Sequence, residues 1–453
     1  MGIIKYIDLF AGIGGFRLGF SKACDSMGIK HKCVFTSEIK PYAVHVYREN
    51  FSGKISGDIT KIAATEIPDF DVLLAGFPCQ AFSSAGKRQG FLETRGTLFF
   101  EVARILKEKS PKAFILENVE GLVKHDLEKS TDKIGRTLST ILYVLDSLGY
   151  KVSWDVLDSS NFGVAQKRKR IFIAGTKNTK VCLCNFEPIK RTIGDILESG
   201  KDVLQNKTAR LLLSHYPIEA LYGKCLKDKR GGADNIHSWD IALKGAVSRK
   251  QKDLLEWILR ARRRKDWAEK KGIAWMDGMP LTLSEIEDSY GDKNIKSDLD
   301  NLVEKGYLKY EYPKDISLKK NLQGHLVKVR EYRTDLEKGY NIVAGKLSFD
   351  INKILDPNDI APTLVATDLD RVAVPDNNGL RRLTKLEQLR LFGFPDDFKM
   401  TVKDREAFDL FGNTIAVPVV KSVAIRLLNA LNGKGYVSQE KTKAKNSQME
   451  LFL

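Results

Sequence analysis

An α/β fold on a mainly parallel sheet is what the sequence predicts, and three observations predict it. Residues 4 to 10 form a strand-like run that empties into Ala11-Gly12-Ile13-Gly14-Gly15 and then the helix-like Phe16-Arg17-Leu18-Gly19-Phe20. That is the strand, glycine loop and helix of a nucleotide-binding βαβ unit. The apolar run Asp71 to Ala75 ends in Gly76-Phe77-Pro78-Cys79, and Lys112 to Leu116 ends in Glu117-Asn118-Val119. Both read as buried strands opening into loops. In open sheets of this kind, ligands bind beyond the carboxyl ends of the strands, so the residues after each run matter most.

The first unit departs from the dinucleotide fingerprint. G-x-G-x-x-G counted from Gly12 needs a glycine where Arg17 stands, which disfavours a nicotinamide or flavin enzyme. The next strand, Cys33 to Ser37, ends at Glu38, about twenty residues past the glycines, where this architecture sets a carboxylate on ribose hydroxyls. A third unit ends in Gly57-Asp58-Ile59, with Asp58 able to accept from an adenine amine. Either acid could instead cap a helix.

Cys79 sits in a loop whose entry is stiffened by Pro78. A nucleophilic role requires nearby cations or donors that favour the thiolate, and Lys87, Arg88 and Arg95 follow closely. The alternative is a structural thiol. Thr97 to Leu106 has helical spacing. Glu117, at the end of an apolar strand, should be pushed toward its protonated form and so suit proton donation, unless it is a solvent-facing loop acid. Residues 134 to 148 read as an amphipathic helix and Lys151 to Leu157 as a strand. Gln166-Lys167-Arg168-Lys169-Arg170 then runs into the strand Ile171 to Ala174, so that Arg168 and Arg170 share a face.

Composition bounds the rest. A chain of 453 residues accommodates two or three domains. Lys and Arg exceed Asp and Glu by 74 − 58 = 16, a surplus that commonly marks a polyanion-binding protein. The N-terminus shows no basic region leading into a long apolar stretch, and no run approaches eighteen apolar residues, so a cytoplasmic protein is expected. The six cysteines are sparse and include no C-x-x-C pair, so neither a disulfide framework nor a zinc site is indicated and no metal centre is expected. Cys182 and Cys184 alternate along Val181 to Phe186 as if on one face of a strand, with core packing as their role.

Six motifs in order resemble the cytosine-5 DNA methyltransferase family. They are D-L-F-A-G-I-G-G-F at 8 to 16, G-F-P-C-Q-A-F-S at 76 to 83, E-N-V at 117 to 119, Q-K-R-K-R at 166 to 170, the segment from Arg382 to Pro395, and G-N-T-I-A-V-P-V at 412 to 419. The resemblance implies a Rossmann-like S-adenosylmethionine-dependent methyltransferase domain with a smaller, inserted target-recognition domain. It implies that Cys79 attacks carbon 6 of a flipped cytosine and that Glu117 contacts ring nitrogen 3. Carbon 5 then takes the methyl group, leaving S-adenosylhomocysteine. Phe10, Gly12 and Gly14 would line the cofactor, Glu38 its ribose, and Asp58 and Ile59 its adenine, with Pro78, Leu98 and Asn413 completing the pocket. Arg168 and Arg170 would hold the flipped nucleotide, with Gln80, Ser83 and Gln166 beside DNA. Ala85 stands where some relatives have a DNA-contacting serine. An amino-methylating enzyme would need a D-P-P-Y-like segment, which Asp356-Pro357-Asn358 does not supply.

The implied organisation is a catalytic domain in two parts, 1 to 184 and 379 to 433, around a recognition region at 185 to 378, with a polar tail from 434. Within that region, Leu254 to Lys271 reads as a basic helix carrying Arg260, Arg262, Arg263, Arg264 and Lys265 between Trp257 and Trp267, either a phosphate contact or a solvated face. Ser284-Glu285-Ile286-Glu287 resembles a capping box. The stripe Ile295, Leu299, Leu302 and Val303, ended by Gly306 before the strand-like Tyr307 to Tyr310, completes two helices and a β ribbon that suggest either a winged-helix-like insert or plain core packing. Thr363-Leu364 resembles the family's Thr-Leu pair. The expected partners are double-stranded DNA and a paired restriction endonuclease, with a monomeric, nucleoid-associated prokaryotic enzyme. An RNA cytosine methyltransferase and a catalytically silent DNA-binding regulator are the rival readings.

Overall fold

The computed structural model describes residues 2–78, 98–129, 131–229, 231–274, 278–320, 326–344 and 349–433. These fall into two compact units. The first holds residues up to Leu197, Asn358–Asp370 and those from Leu383 onward; the second holds Glu198–Pro357 and Arg371–Arg382. Residues 358–370, expected in the recognition region, group instead with the first unit because their backbone hydrogen-bonds to it: Ala361 N–H donates to Ala165 O at 2.9 Å, and Lys167 N–H to Ala361 O at 2.8 Å.

In the first unit the chain runs β1 (Ile4–Leu9), α1 (Gly15–Ser26), β2 (His31–Ser37), α2 (Pro41–Asn50), β3 (Ile55–Ser56), β4 (Val72–Gly76), α3 (Leu98–Lys109), β5 (Ala113–Val119), α4 (Arg136–Ser147), β6 (Lys151–Asp158) and β7 (Lys169–Thr176). The sheet order is β3-β2-β1-β4-β5-β7-β6. Strands β3, β2, β1, β4 and β5 pair in parallel, and β7 is antiparallel to both neighbours. Alternate residues of β4 and β5 serve opposite faces. Val72, Leu74, Ala113 and Ile115 enter one apolar cluster, and Leu73, Ala75, Phe114 and Leu116 the other. Both faces of the sheet are therefore covered, as a parallel sheet requires. Each such large side chain contributes roughly 1.5–3 kcal/mol of burial.

The second unit begins with α5 (Lys207–His215), β8 (Cys225–Leu226) and β9 (Asn235–Ile236). It continues through α6 (Arg249–Ala261), α7 (Asp266–Lys271), α8 (Leu283–Tyr290), α9 (Lys296–Glu304), β10 (Leu308–Glu311), β11 (Lys314–Lys320), β12 (Leu326–Tyr332) and β13 (Gly339–Ile342). Strands β14 (Lys353–Ile354), β15 (Val372–Asp376) and β16 (Gly379–Arg381) join β8 and β9 in one sheet, ordered β16-β15-β14-β8-β9. A separate core of Leu254, Leu255, Ile258, Ile286, Leu299, Leu302, Tyr340 and Ile342 binds α6, α8 and α9 to β13, which pairs antiparallel with β10.

Three expectations change here. The basic stretch from 254 to 271 is two helices, because Arg262 ends α6 and turns inward, donating from Nη1 to Asn341 Oδ1 at 2.9 Å. Trp267 is buried, Arg264 pairs with Asp266 at 2.6 Å, and Arg260 stays on the exposed face 3.9 Å from Glu256. The capping box lies two residues earlier than read, with Thr282 capping α8 and Glu285 returning to the Thr282 N–H. Cys182 and Cys184 lie on no strand: Val181 and Leu183 take the core positions, and the two half-buried sulfurs meet as a disulfide pair.

The chain closes with α10 (Lys385–Arg390), α11 (Asp404–Asn413) and α12 (Val417–Leu431) in the first unit. Asp404–Leu431 is long and apolar enough to cross a membrane by length and composition, but 61% of that window is buried inside the protein. Val420, Val423, Ala424 and Leu427 of α12 share a core cluster with Phe16, Phe20 and Ala23 of α1. Gly19 permits this contact, since a Cβ there would lie 2.6 Å from Val420 Cβ.

Candidate active site

The glycine loop leaves β1 through three consecutive alternations of left-handed backbone, with φ of 55° at Phe10, 54° at Gly12 and 86° at Gly14. A non-glycine residue in this region is held there at a cost, of order 1–3 kcal/mol, that the surroundings must offset. Gly14 is further constrained, because a Cβ would lie 2.3 Å from the Phe51 ring. At Gly12 a Cβ would meet nothing within 4 Å, so this stretch of backbone is open to a ligand.

Two carboxylates stand at the ends of the adjacent strands. Glu38 follows β2 and is held by three amides: Gly12 N–H donates to Oε2 at 2.7 Å, and Ile39 and Lys40 N–H each donate to Oε1 at 2.8 Å. Asp58 follows β3 and caps a short 3-10 turn, its Oδ1 accepting from Thr60 N–H at 3.0 Å and Thr60 Oγ1 at 2.7 Å. These bonds hold the carboxyl of Asp58 below the usual range, so it is an anion and an acceptor. Glu38 Oε2 and Asp58 Oδ2 both keep acceptor capacity, as a carboxylate oxygen takes two hydrogen bonds. An open backbone loop with two acids beyond it fits an adenosine with ribose hydroxyls and an exocyclic amine. Ile59 is buried beside them, with its carbonyl accepting from Arg104 Nη2 at 3.2 Å.

Strands β4 and β5 converge on the second half of the site. Gly76 lies opposite Glu117, and a Cβ at Gly76 would be 3.5 Å from Glu117 Oε2. Phe77 O accepts from the Asn118 side-chain amide at 2.8 Å, which ties the β4 exit, including exposed Pro78, to β5. The sequence signals Asn118 only as a polar residue in an apolar strand, within E-N-V, with no role of its own. Cys79, Gln80, Ser83 and Ala85 lie outside the described residues, and Leu98 opens α3.

Glu117 lies within β5 itself. Its side chain is 14% exposed and pairs with Arg170 Nε at 3.0 Å. Burial pushes its pKa upward, opposed by the charges of Arg170 and then Arg168. Both charges act on Glu117, but only Arg170 pairs with it. Arg168 is the more deeply buried. Its Nη2 donates to Gly412 O at 2.8 Å and its Nη1 to Leu364 O at 3.4 Å, while the guanidinium lies 5.4 Å from the Phe392 ring centroid. Burial lowers its pKa to about 9, which leaves it charged at neutral pH. Gln166 is fully buried, with Oε1 accepting from Leu364 N–H at 3.4 Å and Nε2 without a partner among the described residues. Thr363 Oγ1 donates to Lys167 O at 2.6 Å, so the Thr-Leu pair docks on the Gln166-to-Arg168 segment.

The far end of the chain returns to the glycine loop. A Cβ on Gly15 would be 2.7 Å from Ile415 Cγ2, which places the segment after Asn413 against the start of α1. Asp409 accepts from Lys40 Nζ at 2.7 Å and Tyr42 Oη at 2.6 Å, anchoring α11 beside the segment that follows Glu38. Asn413 is exposed and donates to Asp409 O at 2.8 Å.

Residues 4–429 match the family model described as C-5 cytosine-specific DNA methylase. The chain belongs to that family. This methylase is 54% identical to the Type II methyltransferase M.NlaIV of Neisseria lactamica over 429 residues, covering 94% of this chain and 99% of the relative. It is 39% identical to the Type II methyltransferase M.BanI of Aneurinibacillus aneurinilyticus, covering 93% and 94%. A crystal structure of a DNA modification methyltransferase encoded within an E. coli prophage has the same fold, with a TM-score of 0.51 at 20% identity, covering 95% of this chain and 99% of that one. The methylase therefore acts on cytosine in DNA, and membership implies S-adenosylmethionine as methyl donor.

Proposed function

We propose that this DNA cytosine-5 methyltransferase works through Cys79 and Glu117, and that it recognises a defined sequence as the modification half of a Type II restriction system. The observation that carries the chemistry is the Gly76–Glu117 juxtaposition, which sets a mostly buried carboxyl, its pKa pushed upward by burial, beside the strand end that continues through Pro78 to Cys79. The Cys79 thiolate forms a bond to carbon 6 of an extruded cytosine, and the displaced electron pair is met at nitrogen 3 by the Glu117 proton. Extrusion costs a few kcal/mol. Bound S-adenosylmethionine supplies an electrophilic methyl group and needs no metal ion to activate it, leaving S-adenosylhomocysteine. Loss of the carbon-5 proton to a base, expulsion of the Cys79 thiolate and return of the nitrogen-3 proton to Glu117 restore the neutral ring and the acid.

Arg170 orients Glu117 and reaches the flipped nucleotide, whereas Arg168 acts as a positioning residue for the backbone at Leu364 and Gly412. Gln80 and Ser83 flank the DNA, whereas Gln166, expected there from the resemblance, is fully buried and supports the Leu364 backbone. Phe10, Gly12, Gly14, Glu38, Asp58, Ile59, Pro78, Leu98 and Asn413 bound the cofactor. The second unit reads the target sequence, and the enzyme works as a cytoplasmic, nucleoid-associated monomer beside a paired endonuclease.

A duplex pool with randomised positions and 5-fluorocytosine in place of cytosine tests the mechanism. With the methyl donor present, a denaturant-resistant protein–DNA complex is expected, because fluorine at carbon 5 blocks the proton loss that frees Cys79. Absence of any such complex refutes the covalent route. Supplying labelled donor with duplex DNA or transfer RNA should label DNA; label confined to RNA would make this an RNA enzyme.

Asp58→Ala and Asp58→Asn separate cofactor contact from local folding. Asn retains an oxygen for Thr60 but replaces the second acceptor with a donor. Losing a charged hydrogen bond is worth about 1.5–3 kcal/mol, so calorimetry should show S-adenosylmethionine binding roughly ten- to a hundredfold weaker for both variants. An unchanged affinity would move the adenine contact elsewhere.

A further inference from the structure

We propose that the β11–β12 ribbon of the second unit is a wing that grips the phosphates of duplex DNA with one face. The order of elements around it is α6, α7, a bridging residue Leu281, α8, α9, β10, the ribbon and β13. Leu281 and Tyr340 exchange backbone hydrogen bonds at 3.0 and 2.7 Å, so the bridge, β13 and β10 form a three-strand platform beneath the helices. The ribbon extends from that platform.

Its two faces differ in charge. Cross-strand pairs Lys314–Tyr332, Ile316–Arg330, Leu318–Lys328 and Lys320–Leu326 share one face. That face has four cations, four apolar or aromatic side chains and no acid, and all but Lys314 are exposed. Among the described residues, Lys320, Lys328 and Arg330 have no ion-pair partner. The opposite face is neutralised, with Glu331 held by Lys319 and Ser317, and Asp315 by Arg333.

Free-standing apolar side chains such as Leu318, 61% exposed, and Leu326, 64% exposed, sit poorly in water unless a partner covers them. Cations interleaved with apolar groups on a flat ribbon match a nucleic-acid backbone, where phosphates alternate with sugars, and β ribbons are known groove readers. Helix α9 is a poorer match. Its exposed face carries Asp300 and Glu304, with Lys296 already paired to Asp300 at 2.5 Å. The inference rests on the chain acting on duplex DNA.

The test is the salt dependence of DNA binding by the full-length chain carrying K320Q, K328Q and R330Q together. Each lost phosphate contact removes about 0.9 from the slope of log affinity against log salt, so the slope should fall by about 2–3 and affinity by about tenfold or more. Paired Ile316→Thr and Leu318→Ser should weaken binding without changing the slope. K319Q, on the neutralised face, should leave the slope as it is, and unchanged thermal unfolding of all variants confirms folding. A triple variant with the wild-type slope and affinity overturns the inference, as does a K319Q slope change equal per cation to that of the triple. Failure of the wild type itself to bind duplex DNA would instead overturn the DNA reading beneath it.

Discussion

Replacing Cys79 with serine is expected to abolish methyl transfer while leaving DNA binding intact. A serine hydroxyl surrenders its proton far less readily than a thiol, and removing an essential nucleophile typically lowers turnover by ~10⁴-fold or more. Single-turnover transfer of label from the donor reads the first effect, and gel-shift titration the second. Because Cys79 is introduced by Pro78 and by a Phe77 carbonyl bonded to Asn118, the substitution changes one atom on a fixed entry strand. A C79S enzyme with normal turnover would remove the covalent route altogether. Weakened DNA binding alone would mean that the thiol packs and does not react.

The second large effect is expected at Glu117. Glu117→Gln keeps the shape and the Arg170 contact but has no proton to deliver, and general acid catalysis commonly contributes about 10²–10⁴-fold. The pH profile separates this from damage. Burial raises the Glu117 pKa, so the competent protonated form is lost as pH rises through that raised value. The rate should therefore climb with pH as Cys79 ionises and fall again as Glu117 loses its proton. The two limbs belong to the coupled pair and not to either residue alone. The variant should be slow and should lack the falling limb. A variant that retains that limb would assign it to another acid.

Legibility in the sequence followed the range of the interaction. The glycine loop, Glu38, Asp58 and the β4 exit were readable because a strand, its terminating residues and the next helix are contiguous, and the periodicity of 2 or 3.6 is local. Glu117 was recognisable as a carboxyl in an apolar run, and its raised pKa follows from the same pattern. Local signals also misled. Ser284 and Glu287 have the same spacing as Thr282 and Glu285, and only the backbone shows which pair caps α8. In 254 to 271 the cations were visible, but not that Arg262 turns inward to Asn341. Alternation of Cys182 and Cys184 imitated a strand, although no strand among the described residues pairs there.

By itself the sequence determined a nucleotide-binding α/β unit and the family, and it nominated the side chains for the chemistry, since those depend on residue type and short spacing. Only the tertiary structure decided where the arginines go: Arg170 onto Glu117, and Arg168 onto carbonyls at Leu364 and Gly412, 196 and 244 residues away. It also decided that Asp409 anchors beside Glu38 through Lys40 and Tyr42, and that one ribbon face keeps its charge while the other is neutralised. The reason is physical. A buried ion needs a partner wherever the fold can bring one, and that choice is made by packing across hundreds of residues, which no local pattern encodes.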